Sequence, residues 1–255
     1  TGKSMSMRLK QIGNDNPMIR QMGYRGLTGL SLALELEKKN INCLIIEAGD
    51  EHYNDESQSF YKIDTKGTNL KDIPNSRLRQ FGGTSASWGG WCKPFSDLDI
   101  KKTGLNPDEF KKYQSETCKI LGIKNSFRES NINEDFNQIE FQYSEVNFYE
   151  KYFSHIKKSK NILLLLNTQL SHFEGENKKV EKAVCISSGK FFNIKSREFI
   201  LCCGGIENSR ILLWTKFKNM SLLKDNPNIG RYWMTHYWIQ GGIGFLNLKN
   251  FKSFM

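Results

Sequence analysis

The sequence lacks any long hydrophobic run: none of its apolar stretches approaches the roughly 18 residues that a membrane-spanning helix needs. Its first residues, TGKSMSMRLKQ, lack the apolar core of a secretory signal. The six cysteines include no CxxC pair and no finger spacing, so we expect no metal site. Those at 43, 202 and 203 lie in apolar runs, where a free thiol acts as a small hydrophobe. Together these features predict a protein of the reducing cytoplasm without a transmembrane segment.

Acidic residues are in the minority, since 37 Lys and Arg against 27 Asp and Glu leave a net charge of +10. The lysines are scattered rather than gathered in one block, which does not favour nucleic-acid binding. Residues 124–160 do mix basic with aromatic side chains, and such a mixture can stack on bases. These aromatics are Phe136, Phe141, Tyr143, Phe148, Tyr149, Tyr152 and Phe153. We favour the other interpretation, that they pack at the edge of a second domain, and expect no nucleic-acid partner.

A helix that leads directly into a buried strand is predicted early in the chain. An apolar pattern at helical spacing follows Gly26, and the period then changes to the short apolar run Cys43–Ile46. Gly26 and Gly29 lie where such a unit turns into its helix, so backbone N–H groups can face a pyrophosphate. Glu47 follows Gly26 by 21 residues, about the distance at which a carboxylate can accept from a ribose hydroxyl. This arrangement predicts a dinucleotide site.

The upstream side of this unit departs from the dinucleotide fingerprint. The position of the first glycine holds Tyr24, and residues 17–22 contain a proline and polar side chains that disfavour a central strand. A plain packed helix–strand unit therefore remains the alternative. Residues 1–16 are expected to be a disordered or non-native leader.

A glycine-rich loop is the second informative stretch, within residues 77–94. Its four glycines, Gly82, Gly83, Gly89 and Gly90, allow the backbone to approach another group closely. Thr84 and Ser85 add hydroxyl donors, and Trp88 adds flat apolar surface. Downstream, Asn106 and Pro107 predict the start of an amphipathic helix within residues 104–123.

Strands are predicted over residues 161–201, with turn residues at 174–177 and a hairpin turn at Ser188–Gly189. The segment 199–213 then has the same pattern as the first unit: an apolar strand is followed by Gly204–Gly205 and a helix. A tight strand–helix turn without a ligand is the alternative there. Of the histidines, His52 is expected to be solvated and His155 structural without partners.

The motifs RxRxFGGTSxxWGGxxxP, EAG and GGIENS, followed by NPNIGRYWMTH at residues 226–236, occur in an order that resembles the glucose-methanol-choline (GMC) family of flavin oxidoreductases. The sequence is most similar to the branch with pyranose oxidase and sugar or gluconate dehydrogenases. The resemblance implies an α/β fold, with an FAD-binding Rossmann-like domain of parallel sheet, helices and a β-meander, plus an incomplete α+β substrate domain. The expected FAD-binding domain comprises residues 17–100 and 160–235, and the partial substrate or cap domain 101–159 and 236–255.

The family implies oxidation of a CH–OH group of a sugar, polyol or other alcohol, with hydride passing to the flavin N5. The expected cofactor-binding residues are Gly26, Gly29, Glu47, Ala48, Arg79, Gly82, Gly83, Thr84, Ser85, Trp88, Gly89, Gly90, Leu170, Gly204, Gly205 and His236. Some relatives attach FAD covalently to a histidine before the motif tryptophan. This chain has Ser87 there, so non-covalent FAD is expected.

No histidine matches the family's catalytic motif, which lies in a carboxyl half that we expect to be missing, so no catalytic residue is assigned. Three hypotheses follow: an FAD-dependent oxidoreductase represented by a fragment, a non-catalytic remnant that binds flavin weakly or not at all, and a basic nucleic-acid-binding protein. NAD in place of FAD is disfavoured, because the glycine motifs accompany flavin in this family.

Overall fold

The computed structural model describes residues 27–67, 77–131, 134 and 137–234. Three features of the sequence analysis lie outside these residues: the segment before the first helix with Tyr24 and Gly26, the aromatic Phe136, and His236. The description that follows therefore begins with the helix that carries Gly29.

The described residues form a mixed α/β structure. The helices are α1 (Leu27–Lys38), α2 (Asp55–Ser59), α3 (Asp97–Lys102), α4 (Pro107–Leu121), α5 (Phe148–Lys158), α6 (Gly204–Lys218) and α7 (Met220–Leu223), with a 3₁₀ turn at Gly83–Ala86. The strands are β1 (Cys43–Ile46), β2 (Trp91–Cys92), β3 (Glu129–Asn131), β4 (Asn137–Ile139), β5 (Gln142–Tyr143), β6 (Ile162–Leu165), β7 (Thr168–Glu176), β8 (Lys179–Ser187) and β9 (Lys190–Lys195). None of the helices in this part of the chain is long and apolar enough to cross a membrane.

The predicted buried strand is confirmed: all four residues of β1 are buried, and β1 pairs in parallel with β6 from Cys43↔Ile162 to Ile46↔Leu165. Helices α1 and α5 each precede one of these strands and pack on the pair, as parallel strands require. Their shared core consists of Leu30, Ala33, Cys43, Ile45, Phe81, Phe148, Phe153, Ile156, Ile162 and Cys202. A second core, between the other side of β1 and the antiparallel strands, consists of Leu44, Ile46, Leu170, Phe173, Ala183, Cys185, Cys203, Ile211 and Leu222.

Strands β7, β8 and β9 form a three-stranded antiparallel meander. Its second turn is the predicted hairpin, with φ of 47° at Ser188 and 73° at Gly189, the paired positive values of a two-residue turn that matches strand twist. The first turn was predicted at 174–177, but β7 continues to Glu176 and the turn is made by Asn177 and Lys178, with φ of 50° and 63°. Asparagine tolerates that conformation better than the acidic residues before it.

The strand predicted at 199–203 is wrong. Residues 199–203 form no strand, although Cys202 and Cys203 are buried. Backbone groups are instead satisfied by a side chain of α6: Asn208 Oδ1 accepts from Cys203 N at 2.9 Å, and its Nδ2 donates to Leu201 O at 3.3 Å. An apolar run becomes a strand only where another strand offers a ladder.

The amphipathic helix begun by Asn106 and Pro107 is confirmed as α4. The Asn106 side chain accepts from Asp108 N, Pro107 takes the first helical position, and Gly122 ends the helix with φ of 65°. Among the aromatics of the next segment, Phe148 and Phe153 belong to the core with β1, whereas Phe141 and Tyr143 are exposed. The division into two domains stays a prediction.

His155 has a partner, contrary to expectation. Its Nε2 lies 2.6 Å from Glu37 Oε2, so α5 is joined to α1 across 118 residues of sequence. The other oxygen of Glu37 accepts a hydrogen bond from the Ser159 hydroxyl, which also accepts from the amides of Asn161 and Ile162. Burial alone would raise the pKa of Glu37, but the hydrogen bonds from Ser159 and His155 together leave this pKa below its ordinary value. His52 is largely solvated, as expected.

We expect Glu37→Gln to lower the free energy of unfolding by about 1–2 kcal/mol at neutral pH, because it weakens two hydrogen bonds to a carboxylate. A lowered pKa in the folded state contributes stability above the unfolded-state value near 4.5, and this contribution is lost as the pH falls through the lowered folded pKa. The difference between wild type and variant in urea unfolding should therefore vanish on the acid side of that value.

Glu35→Gln is the matched control for this change. Glu35 lies on the same helix and pairs with Lys38 at 2.6 Å, but both side chains are exposed. Such a pair contributes about 0.5 kcal/mol or less. Equal effects of the two substitutions, or an effect of Glu37→Gln that persists unchanged at acid pH, would contradict the role given to Glu37.

Candidate functional site

The residues after β1 are in van der Waals contact with the start of the glycine-rich loop. Asp50 forms a parallel bridge with Gln80, and Phe81 N donates to Asp50 O at 2.8 Å. A Cβ at Gly49 would lie 1.8 Å from Arg79 O, a distance that no pair of non-bonded atoms can reach. The glycine of the EAG motif is therefore what allows the first two sequence motifs to meet at the carboxyl end of β1.

Glu47 lies at this end of the strand, fully buried, and its Oε1 accepts from Gly49 N at 2.7 Å. The Glu47 backbone also contacts the first residue of β7, since Glu47 O accepts from Thr168 N at 2.9 Å. Ala48, the next residue in the chain, is buried. Leu170, on β7, is buried in the second core. Nucleotide-binding folds place the acidic residue that accepts from the ribose at the carboxyl end of a parallel strand.

The glycine-rich loop turns sharply at its first two glycines. Gly82 and Gly83 have φ of 83° and 54°, in the left-handed region that glycine adopts more easily than any other residue. A Cβ at Gly82 would lie 3.6 Å from Ser85 Oγ and 3.8 Å from Tyr149 N, at ordinary contact distances, and the turn itself is buried. The buried Ser85 hydroxyl donates to Gly82 O within the loop, and Thr84 is also buried.

The later glycines of the loop serve a different purpose. Gly90 has φ of 71°, and a Cβ there would lie 2.4 Å from Ser144 O. Ser144 N donates to Gly90 O at 2.8 Å, beside the short β2–β5 pairing. Trp88 and Gly89 are half-buried, and the indole N–H of Trp88 donates to Val146 O at 3.2 Å. The close approach predicted at Gly90 is thus made by another part of this chain.

Arg79 is held by protein groups on both sides. Its guanidinium donates to Ser57 Oγ and, at 2.9 Å, to Gln169 Oε1, next to Leu170. The Arg79 backbone N–H donates to Gln58 Oε1 at 3.0 Å, and the guanidinium lies 4.8 Å from the ring centre of Phe60. Arg79 therefore joins the loop to α2 and to the first residues of β7.

The third motif begins α6, where Gly204 has φ of 77° and Gly205 is exposed. A Cβ at Gly205 would lie 3.2 Å from Trp233 Cδ1, so the segment around the fourth motif packs over the start of this helix. The first backbone N–H groups of α6 belong to these glycines, and a helix N-terminus favours anions. Gly29 is buried, and Leu30 and Ala33 of its helix belong to the first core.

A buried ion pair, which the sequence analysis did not anticipate, joins the second motif to the third. Arg77 Nη1 lies 2.9 Å from Glu207 Oε1, and the two side chains are only 2% and 4% exposed. Arg77 Nη2 donates to Tyr61 O at 2.9 Å, and Glu207 Oε2 accepts from Arg210 Nε at 2.8 Å. Arg77 is the first arginine of the RxRxFGG motif and Glu207 is the glutamate of GGIENS. The two motifs therefore already marked these positions in the sequence.

The cysteines offer no reactive thiol among the described residues. All six are free and buried. Burial raises the pKa of Cys43 to about 11, with a smaller contribution from Glu37, and burial also raises that of Cys92 to about 11. A thiolate is the reactive form, so these groups act as core residues. In the same part of the chain no three His, Cys, Asp or Glu side chains cluster as metal ligands.

Comparison with known proteins gives little further information. No protein-family model and no curated protein sequence matches the chain. Among solved structures, it is similar to the crystal structure of pyridoxine 4-oxidase from Mesorbium loti, with a TM-score of 0.49 and 14% sequence identity. That alignment covers 83% of this chain and 51% of the oxidase, so the chain spans about half the length of that protein. A similarity of this size does not decide the function.

Proposed function

We propose that this chain belongs to an FAD-dependent oxidoreductase of the GMC type that acts on a CH–OH group of a sugar, polyol or other alcohol. The observation that carries the proposal is the meeting of motifs that are far apart in sequence. Gly49 contacts Arg79, Arg77 pairs with Glu207, and Gly205 packs against Trp233. In α/β folds ligands bind outside the carboxyl ends of the parallel strands, which is where the first of these contacts lies.

The residues in place suit the parts of FAD. Glu47 would accept from the adenosine ribose, with Leu170 beside the adenine. The N-terminus of α1, with Gly26 and Gly29, would face the pyrophosphate. The turn at Gly82–Ser85 and the start of α6 at Gly204–Gly205 would approach the flavin end. Trp88 and His236 complete the proposed set, with Ala48, Arg79, Gly89 and Gly90 supporting it.

FAD, when bound, supplies the hydride acceptor for the alcohol, and binding is non-covalent because Ser87 cannot form a histidyl–flavin bond. The residues of this chain would hold and orient the cofactor. No catalytic base is assigned.

The second candidate is a remnant that binds flavin weakly or not at all. Two contacts favour it: Glu47 already accepts from Gly49 N, and the Ser85 hydroxyl already donates to Gly82 O. Calorimetric titration of the purified chain with FAD and with NAD separates the candidates. Binding of FAD in preference to NAD supports the oxidoreductase, even without turnover, because the expected catalytic histidine is not among the residues of this chain. Weak FAD binding without preference over NAD, or no binding, favours the remnant.

We expect Glu47→Gln to weaken FAD binding about tenfold, because a neutral amide accepts more weakly from ribose hydroxyls than a carboxylate does. The amide oxygen can still accept from Gly49 N, so this contact is retained in the variant. Glu174→Gln is the control: this carboxylate lies on β7, is 40% exposed and pairs with Lys182. Equal FAD affinity in both variants would remove Glu47 from the proposed site.

A further inference from the structure

We propose that the buried Arg77–Glu207 ion pair fixes the segment Arg77–Phe81, which leads into the glycine turn, against the first turn of α6, so that both residues control FAD affinity without contacting FAD. The inference rests on the proposed function. Its basis is the location of the pair: Arg77 precedes Gly82 by five residues, and Glu207 follows Gly205 by two. The two side chains thus link the two glycine segments that would approach the flavin end from different elements.

On the loop side, little freedom remains between Arg77 and Gly82. The guanidinium of Arg77 lies 4.5 Å from the ring centre of Tyr61, and Arg77 O accepts from Gln58 Nε2 at 2.7 Å. The following residues are held by the Gly49 contact and by the bond from Phe81 N to Asp50 O. The segment from Arg77 to Phe81 is thus held along its length, and the ion pair with Glu207 is its contact with α6.

On the helix side, Glu207 lies in the first turn of α6 and is held from two directions. Arg77 bonds one carboxylate oxygen and Arg210 bonds the other. The neighbouring Asn208 fixes the turn before the helix through Cys203 N. The direction of the first α6 N–H groups is thereby fixed relative to the loop.

A buried ion pair is by itself weak evidence for a contribution to stability. The desolvation cost of two charges offsets much of their attraction, and replacement of both by apolar residues of similar volume is often neutral for folding. The angular requirement of a guanidinium–carboxylate contact is lost in such a replacement. A double apolar variant therefore separates a positioning role from a stabilising one.

The test compares the variant Arg77→Met/Glu207→Met with Thr215→Val. Thr215 lies on the same helix, is buried and accepts from Phe173 N at 3.1 Å, far from the loop in sequence. We expect the double variant to melt close to wild type yet to bind FAD about tenfold more weakly, with an altered visible circular dichroism of the bound flavin. Thr215→Val should melt lower and bind FAD as wild type does.

The conservative change Glu207→Asp provides a second measurement if the double variant does not fold. It retains the charge but shortens the side chain, so we expect reduced FAD affinity and an altered flavin signal with the fold preserved. Wild-type affinity and an unaltered signal in either folded variant would overturn the inference while leaving the proposed function intact. Failure of the wild-type chain to bind FAD would contradict the proposed function itself.

Discussion

Gly49→Ala should prevent stable folding. The added methyl carbon would lie 1.8 Å from Arg79 O, 2.2 Å from Arg79 C and 2.5 Å from Gln80 N, all of them backbone atoms that no side-chain rotation can move away. Relief would require separating β1 from the loop, with loss of the Asp50–Gln80 bridge and exposure of buried Phe81. A loss of about 4 kcal/mol or more is expected, in the range reserved for broken packing. Urea unfolding followed by circular dichroism measures it.

Gly67→Ala is the control for the loss of a glycine as such. Gly67 has φ of 91°, and among the residues that the structure describes no atom would lie within 4 Å of an added Cβ, so backbone strain of about 1–2 kcal/mol is the expected cost. The additional loss of unfolding free energy in Gly49→Ala then measures the cost of the steric clash. Similar unfolding midpoints for the two variants would mean that the EAG and RxRxFGG segments do not meet as described.

Arg77→Met alone should destabilise the protein by about 3–5 kcal/mol, because it leaves the Glu207 carboxylate, 4% exposed, without its buried cation. Glu207→Met should cost a similar amount for the reciprocal reason. Replacement of both should restore most of the loss, since no buried charge then lacks its partner. Thermal and urea unfolding of the four proteins of this cycle gives the coupling energy.

Arg210→Met serves as the reference for this cycle. Arg210 bonds the same carboxylate at 2.8 Å, but its side chain is 42% exposed and its loss leaves the Arg77–Glu207 contact in place. We expect a loss of about 1 kcal/mol or less. Additive effects of the Arg77 and Glu207 substitutions, or an Arg210 effect as large as that of Arg77, would show that the pair is not isolated from water.

Local patterns predicted the elements whose formation depends on neighbours in sequence. The apolar run at Cys43–Ile46 became a buried strand, Ser188–Gly189 became a hairpin turn, and Asn106 with Pro107 began a helix. Each of these depends on a period, a cap or a turn conformation that a few adjacent residues determine.

Contacts between residues that are far apart in sequence could not be predicted from these local patterns. The strand expected at 199–203 did not form because a strand needs a ladder partner, which an apolar run does not specify. Arg77 and Glu207 meet across 130 residues, and His155 meets Glu37 across 118. In the candidate site, the glycines themselves were evident, but only the fold shows that a Cβ at Gly90 would lie 2.4 Å from Ser144 O, whereas one at Gly82 would lie 3.6 Å from Ser85 Oγ.

The visible absorption spectrum of the purified full chain, recorded before and after acid precipitation, tests the central claim most directly. The account predicts flavin bands in the native protein that pass to the acid supernatant. This is expected because Ser87 cannot form a histidyl–flavin bond. Bands that remain with the pellet would contradict the non-covalent linkage. A spectrum without flavin bands, even after refolding with added FAD, would contradict the proposed FAD site.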